Sequence, residues 1–229
     1  MAAPWYRAEP DRLSALKSGL AGRYPALRID VTGPQPMISG LWPVTDENGA
    51  IVDEFRIELK LPHSLRHQVP ELREVGGRIP FSCSTGNPER HVNPDGTACL
   101  LIEEDFWKDH PEGYELMEFL EGPVRHWLLG QVFFEAHGCW PWEEWEHDFR
   151  GLFRCYRELF GAPSDAVALE FLKVLVRDQI KGHWRCPCQS GRRLRNCCGE
   201  KVRRLHGTLP PELLRRRREW LPLMERWLA

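Results

Sequence analysis

Four cysteines within the stretch CPCQSGRRLRNCCG constrain the C-terminal part of this chain more than any other feature. Cys186 and Cys188 form one close pair, Cys197 and Cys198 form a second, and eight residues separate the two pairs. Ser190-Gly191 predicts a turn that brings the pairs together. Four thiolates at one point satisfy tetrahedral zinc, and the neighbouring arginines favour deprotonated thiols. We therefore expect a structural zinc site here.

The composition is that of a soluble globular protein. The chain has 229 residues, of which 42% are hydrophobic and 28% charged. Its net charge of -2 argues against a general polyanion binder. It contains no apolar run long enough to span a membrane and no basic start followed by an apolar stretch, as in a secretory signal. We therefore expect a cytoplasmic protein with reduced thiols, whose cysteines are metal ligands or nucleophiles rather than disulfides.

The order of the predicted elements indicates an α+β fold. Residues 5–23 carry leucines at helical spacing, and strand-like segments follow. The segment 51–61 alternates apolar and polar residues at period two, which predicts a half-buried strand, and Asn48-Gly49 predicts the hairpin turn before it. Amphipathic helices come after Pro123. A helix, a run of strands and then helices predict an antiparallel sheet covered on one face.

Several local signals fix where the later helices begin and end. Pro123 suits the first turn of a helix, and Gly138 ends that helix. A second helix closes at Gly161. We expect Ser164 to be the N-cap of a third helix, which stops at Gly182.

The turn HVNPDGTACL places one cysteine between a polar loop and an apolar segment. Asn93-Pro94-Asp95-Gly96 is a turn by composition, so it surrounds Cys99 with backbone amides, an imidazole and a carboxamide. A nucleophilic cysteine needs partial exposure and a donor for the oxyanion, which Asn93 can supply. We interpret Cys99 as a candidate nucleophile. The alternative is a small apolar residue that starts the buried segment 100–102.

The three remaining cysteines carry weaker signals. Cys155 lies on the apolar side of a helix and is expected in the core. Cys139 sits among aromatic residues and is also expected to pack. Cys83 lies in a loop and is expected to be partly exposed.

The segment HVNPDGTACLLIEEDFW resembles the active-site segment of the ubiquitin-conjugating enzyme family. In that family a His-Pro-Asn signature precedes a loop that ends in Gly-x-x-Cys-Leu, with a Trp further on. His91 and Asn93 match the ends of the signature, and Val92 stands where the family has proline. The later residues that match are Gly96, Cys99, Leu100 and Trp107.

The resemblance covers residues 5–160. The sequence after the motif looks more like prokaryotic members of the family. Those members are encoded in bacterial conjugation-like operons, several of them antiphage. It implies a ubiquitin-conjugating-like domain over residues 1–162. Residues 163–229 would then form a helical segment with a zinc module and a basic C-terminal helix. The cysteine cluster resembles the SEC-C motif over residues 183–200, although that motif usually has glycine where Gln189 stands here.

The resemblance also implies the chemistry. Cys99 would accept the C-terminus of a ubiquitin-like protein, or of another protein tail such as that of a nucleotidyltransferase, from an activating enzyme. A lysine-bearing acceptor would then take it from Cys99. Asn93 would stabilise the oxyanion, and His91 would brace the loop rather than act as base. Asp95, or one of the acids at 103–105, would orient or deprotonate the lysine, although those three consecutive acids also fit a solvated turn.

Two other classes of function stay open. The chain could be a catalytically silent adapter that binds partners through its zinc module, or a thiol hydrolase that uses Cys99 with a histidine. We expect no membrane partner. The run Arg215–Arg218 fits a solvated helix face, which argues against a nucleic acid partner. His137 and His147 with Glu143 and Glu144 suggest a metal site less well than a packed aromatic corner.

Overall fold

The computed structural model describes residues 3–33, 35–46, 48–142 and 148–229, and it confirms an α+β chain built on an antiparallel sheet. The strands are β1 (Leu27–Asp30), β2 (Met37–Thr45), β3 (Ile51–Lys60) and β4 (Glu71–Glu74). They pair in chain order, each antiparallel to the next. Such a meander needs only short connections, because antiparallel neighbours are joined by hairpins.

Helices precede and follow the sheet. The first are α1 (Trp5–Ala8) and α2 (Pro10–Arg23), where one helical segment was predicted. The later helices are α3 (Glu103–Asp109), α4 (Leu116–Phe119), α5 (Arg125–His137), α6 (Asp148–Phe160), α7 (Asp165–Leu175), α8 (Gly199–Thr208) and α9 (Pro211–Leu228). None of the helices in the described part of the chain combines the length and the hydropathy that crossing a bilayer requires.

The chain forms two compact units that interleave along the sequence. One unit comprises Met1–Leu100 with Tyr114–Glu143, and the other comprises Leu101–Gly113 with Glu144–Ala229. These units divide the chain elsewhere than at residue 162, and the domain assignment made from the sequence stays a prediction. The segment that contains α3 therefore groups with the C-terminal helices rather than with the sheet.

In the first unit, the core lies on one face of the sheet. Phe55, Ile57 and Leu59 of β3 are at most 1% exposed, as their period-two spacing predicted. The hairpin turn before β3 is also confirmed, since the Asp46 carboxylate accepts the backbone N–H groups of Asn48 and Ala50, each at 2.9 Å. The alternation thus fixes which face of the strand is buried.

Pro123 does not begin a helix, and that prediction was wrong. It lies inside a π-helical segment, Leu120–Val124, that joins α4 to α5 without a break. Proline lacks an N–H and clashes with the preceding turn of an α-helix. The wider π turn accommodates it, because such a turn changes which carbonyl each N–H would meet.

The ends of the other helices agree better with the sequence. Gly138 and Gly161 both have positive φ, 73° and 64°, at the ends of α5 and α6. Ser164 caps α7, since its Oγ accepts the Val167 N–H. However, α7 ends at Leu175 rather than at Gly182.

The second unit contains a fully buried ion pair. Glu104 of α3 is 0% exposed and Arg217 of α9 is 6% exposed. The Arg217 Nε and Nη2 lie 2.6 and 3.0 Å from the two carboxylate oxygens of Glu104, and the Tyr156 hydroxyl donates to one of them at 2.7 Å. The interpretation of these acids as a solvated turn was therefore wrong for Glu104.

Two opposing effects set the pKa of Glu104. Burial raises it, but the charge and hydrogen bonds of Arg217 and the Tyr156 hydroxyl lower it below its usual range. A carboxyl group with a lowered pKa stabilises the fold at pH values above its unfolded pKa of about 4.3, and the contribution is lost as pH falls through the folded value. The pair therefore holds α3 against α9 at neutral pH.

We expect Arg217→Met to lower the free energy of unfolding by about 3 to 5 kcal/mol, because it leaves a buried carboxylate without its counter-charge. Urea unfolding followed by circular dichroism measures the loss. Arg215→Met is the matched control on the same helix. Its pairs with Glu212 and Glu219 are exposed, so a change of about 0.5 kcal/mol or less is expected. Equal losses in the two variants would contradict a special role for the buried pair.

Candidate active site and metal centre

The segment 91–99 folds into a small hairpin. Val92 and Ala98 form an antiparallel bridge, the Asn93 N–H donates to the Thr97 carbonyl at 2.8 Å, and the Cys99 N–H donates to the His91 carbonyl at 2.8 Å. The Gly96 N–H donates to the Asn93 carbonyl at 2.9 Å and closes the turn between the two arms, so the predicted turn is confirmed. The hairpin attaches to the sheet through the Ala98 N–H, which donates to the Leu72 carbonyl of β4 at 2.8 Å.

Cys99 ends the second arm of this hairpin and is exposed to solvent. Because side chains alternate along extended arms, Asn93, Thr97 and Cys99 fall on one face and Val92 and Ala98 on the other. Val92 is accordingly 7% exposed. Although the residue reaches solvent, the protein atoms packed around its thiol desolvate it, and this raises the pKa of Cys99.

Thr97 joins the polar side chains of the turn, and sequence reasoning missed it. The Asn93 Nδ2 donates to Thr97 Oγ1 at 3.0 Å, and that hydroxyl donates to Asp95 Oδ1 at 2.6 Å. Asp95 Oδ1 also accepts the Thr97 N–H at 2.9 Å. The Asp-x-Thr spacing is the signal that could have found it, since Asp side chains bond the backbone two residues on.

Asp95 is held as a carboxylate. Partial burial raises the pKa of Asp95, but hydrogen bonds from Thr97 and the nearby charge of Arg73 outweigh that effect and lower it overall. The Arg73 guanidinium lies 3.7 Å from the Asp95 carboxylate and also contacts its backbone carbonyl. Asp95 thus closes the turn through its ionised form.

His91 anchors the first arm of the hairpin. It has a left-handed backbone conformation, with φ of 51°. Its carbonyl accepts both the Cys99 N–H and the Trp127 Nε1–H, the latter at 3.1 Å. Its ring packs on the ring of Trp140, with centroids 4.4 Å apart. The backbone and the imidazole of His91 are therefore both engaged in holding the loop.

A second short loop supports the hairpin from the N-terminal side. The Gly86 backbone lies so close to the first arm of the hairpin that a Cβ at this position would be 2.2 Å from the Val92 carbonyl oxygen. Gly86 also has φ of 70°, so a side chain is disfavoured at this position on two grounds. Substitution of Gly86 would displace the arm that carries Asn93.

The four C-terminal cysteines come together as predicted. Their sulfur atoms all lie within 4.8 Å of one another, and three separations are 3.2, 3.4 and 3.7 Å. Tetrahedral zinc–thiolate geometry, with bonds of about 2.3 Å, requires sulfur separations of about 3.8 Å. The cluster is Cys186, Cys188, Cys197 and Cys198, and it has the donor set and the spacing to hold a metal ion.

Two of the four thiols are poised for deprotonation. The Ser190 hydroxyl, 3.2 Å from the Cys188 sulfur, is the main cause that lowers the pKa of Cys188 to about 6. The same hydroxyl lowers the pKa of Cys197, whose sulfur also accepts from Arg192 at 3.3 Å. Burial raises the pKa of Cys186 and of Cys198. A bound cation would displace the protons that these thiols still carry, because thiolates are the metal ligands.

Gln189 occupies a strained position in the loop between the cysteine pairs. The loop closes through the Cys186 N–H on the Arg192 carbonyl at 2.9 Å and an antiparallel bridge between Arg185 and Arg193. Within it Gln189 has φ of 61°, a left-handed conformation that favours glycine. The loop thus adopts a left-handed backbone at Gln189 without a glycine, at a cost in backbone strain.

For the three remaining cysteines, the structure confirms two of the predictions and contradicts one. Cys155 is 1% exposed, so its core position is confirmed, and the exposure of Cys83 is confirmed as well. Cys139 is exposed, and the prediction that it packs was wrong. His147, Glu143 and Glu144 lie outside the described residues.

No family model, no curated protein and no solved structure matches this chain.

We expect Gln189→Gly to stabilise the metal-loaded protein by about 0.5 to 1 kcal/mol. Glycine removes a left-handed strain of about 1 to 2 kcal/mol, and its greater freedom in the unfolded chain offsets part of that gain. The urea midpoint of the loaded protein measures the change. Gln189→Ala keeps a Cβ and serves as the control, which should gain nothing. A gain of the same size with alanine would show that the side chain, not the backbone, is the cause.

Proposed function

We propose that this chain is a ubiquitin-conjugating-like acyl transferase with Cys99 as its nucleophile. The observation that carries the proposal is the hairpin 91–99, which ends in a cysteine that reaches solvent and holds a carboxamide, Asn93, on the same face. A cysteine held at the end of such a hairpin agrees with the resemblance of this segment to the active-site segment of ubiquitin-conjugating enzymes. The α+β meander that precedes it agrees with the order of elements in that family.

The reaction would be transfer through a thioester. The Cys99 sulfur attacks the carbonyl carbon of a protein C-terminus held as a thioester on an activating enzyme, and the activating enzyme's thiol leaves with the proton that Cys99 loses. A lysine amine of an acceptor protein then attacks the new thioester. The amide bond forms, the Cys99 thiol is released, and the amine proton passes to it or to solvent.

Asn93 would serve as the oxyanion donor without releasing Thr97. A carboxamide nitrogen carries two N–H groups, and only one of them is used in the contact with Thr97 Oγ1 at 3.0 Å. The second N–H stays available for a developing oxyanion. The contact with Thr97 fixes the orientation of the amide before the reaction, which is the condition for such a donor to be effective.

His91 and Asp95 would position the loop rather than move protons. The His91 carbonyl binds the Cys99 amide, and its ring packs on Trp140. The Asp95 carboxylate receives two hydrogen bonds from Thr97, and its lowered pKa makes it a weak base. The raised pKa of Cys99 fits a thiol that reacts only when a docked partner presents the acyl group.

Zinc is the metal we propose for the cysteine cluster. Thiolate sulfurs near tetrahedral spacing favour zinc, and four protein ligands leave no open coordination position for catalysis. The ion would therefore fold and stabilise the C-terminal module, which resembles the SEC-C motif. We further propose a cytoplasmic protein from a bacterial conjugation or antiphage operon, with an activating enzyme and a ubiquitin-like protein or a nucleotidyltransferase tail as partners.

A catalytically silent adapter is the second candidate function. The specific observation that favours it is the desolvated Cys99 thiol, whose raised pKa leaves little thiolate at neutral pH. In that case the loop would be kept for its shape and the cysteine cluster would bind partners. The thioester experiment below separates the two candidates.

The protein should form a thioester on Cys99 when it is incubated with ATP and with the activating enzyme and cargo protein encoded by neighbouring genes. The adduct should be lost on addition of a thiol reductant and be absent in Cys99→Ala, since only a thiol can form this bond. Non-reducing electrophoresis and intact mass spectrometry measure it.

Two other exposed cysteines supply the matched controls. Cys83→Ser and Cys139→Ser should load to the same extent as the wild-type protein. A Cys99→Ser variant that still formed a reductant-sensitive adduct would overturn the role of Cys99. A wild-type protein that binds the charged activating enzyme without taking up the acyl group would instead support the adapter.

The loaded protein should lose its acyl group to free lysine about 100-fold more slowly in Asn93→Ala, because one oxyanion donor is removed. Single-turnover discharge from pre-formed thioester measures this rate separately from loading. Asp95→Asn keeps an acceptor for Thr97 and should discharge within about threefold of the wild-type rate if Asp95 is not a base. If Asp95→Asn slowed discharge strongly and Asn93→Ala did not, the reaction would depend on Asp95 and Asn93 would not be the oxyanion donor.

A further inference from the structure

The C-terminal part of the chain contains two groups of arginines, and the structure shows which group is available to a partner. In the run 215–218, every side chain already has an internal acceptor. Arg215 contacts Glu212 and Glu219, Arg216 contacts Glu103 at 2.6 Å, and Arg217 is buried with Glu104. Arg218 binds the Val176 carbonyl and Asp178. This run therefore holds α9 in place and offers little charge to a ligand.

The available charge lies instead around the cysteine cluster. Residues 177–204 contain nine lysines and arginines and two acidic residues, of which Asp178 is already paired with Arg218. All nine basic residues are exposed. Within the described part of the chain, none of the nine forms an ion pair with a carboxylate. We call these nine exposed side chains the basic surface.

The fold of the module concentrates this charge. Arg185 and Arg193 face each other across an antiparallel bridge, which puts their Cβ atoms about 5 Å apart. Like-charged side chains directly opposite each other are destabilising, and neither arginine forms an ion pair with a carboxylate of the described residues. Lys201 and Arg204 add a second pair three residues apart on α8. A polyanion relieves this repulsion and gains from the release of its own counterions.

A partly exposed tryptophan distinguishes the kind of polyanion. Trp184 precedes Arg185 directly, and its backbone is fixed by the Leu194 N–H, which donates to the Trp184 carbonyl at 2.8 Å. His183 lies beside it, with ring centroids 6.5 Å apart. Aromatic rings among exposed arginines suit unpaired bases, which stack on rings while the phosphates meet the cations. An acidic peptide would use the charge alone.

We propose that the basic surface around the cysteine cluster binds single-stranded nucleic acid. This site is independent of the acyl transfer proposed for Cys99. It also revises the expectation that nucleic acid is an unlikely partner, which rested on the whole-chain net charge of -2 and on the run 215–218. The contacts would be with phosphates and base faces, so little sequence preference is expected.

Fluorescence anisotropy of the full-length protein with a fluorescein-labelled 15-nucleotide oligouridylate tests the proposal. The triple variant Arg185→Gln, Arg193→Gln, Arg204→Gln should bind at least about tenfold more weakly at moderate salt. The slope of log K against log salt should fall by about two, since each lost contact on a single strand contributes about 0.7. Circular dichroism and bound zinc content check that the variant is folded.

The control variant removes the same number of exposed charges elsewhere. Arg7→Gln, Lys17→Gln, Arg215→Gln has the same net charge as the triple variant and should bind like the wild type. If the triple variant fails to fold, Lys201→Gln with Arg204→Gln on the surface of α8 replaces it, with an expected loss of about fivefold and a slope change of about 1.4. Wild-type affinity in a folded variant would overturn the proposal.

Competition identifies the class of partner. Unlabelled oligothymidylate should displace the probe at a concentration at least about tenfold below that of a polyglutamate peptide of equal charge. Trp184→Leu should weaken oligonucleotide binding about tenfold while leaving polyglutamate binding unchanged, because only bases stack on the ring. Equal or better competition by polyglutamate would replace nucleic acid with an acidic protein surface as the partner.

Discussion

The buried pair between Glu104 and Arg217 ties α3 to α9 within the second compact unit. The residues are far apart in sequence, and their contact assigns the segment after Cys99 to the C-terminal helices rather than to the sheet. A buried carboxylate without a counter-charge is strongly destabilising, so α3 cannot leave α9 without a large loss of free energy. Cys99 lies two residues before Leu101, where the chain enters the second unit.

The local features of the fold could be predicted from the sequence. The period-two spacing of Phe55, Ile57 and Leu59 identified a buried face, and the hydroxyl of Ser164 identified a helix start. The turn at 93–96 followed from its composition, because each of those residues favours a turn for a local reason. The four cysteines met as their spacing indicated. In each case the interacting groups are close in sequence.

The features that could not be predicted depend on distant partners. Glu104 reads as one of three solvated acids until Arg217 is brought to it. From the sequence, Pro123 predicts the start of a helix. The π-helical segment around it becomes apparent only when α4 and α5 are seen to be continuous. In the candidate site, the sequence suggested Asn93 and Cys99, but Thr97, which orients the Asn93 amide, lies in the motif without any family signature. Tertiary pairing, not local propensity, decides each of these.

Net charge conceals how the charges of this chain are distributed. The whole chain is nearly neutral at -2, yet residues 177–204 hold nine basic residues against two acids. Four thiolates with one divalent cation would carry a formal charge of about -2, so a bound metal leaves most of that excess uncompensated. All nine basic residues are exposed, and Arg192 in addition donates to the Cys197 sulfur. The arginines of α9 are already bound by acceptors within the second unit, whereas those around the cysteines form no ion pair with a carboxylate of the described residues. The sequence presents both groups as one basic tail, and only the pairing of their side chains distinguishes them.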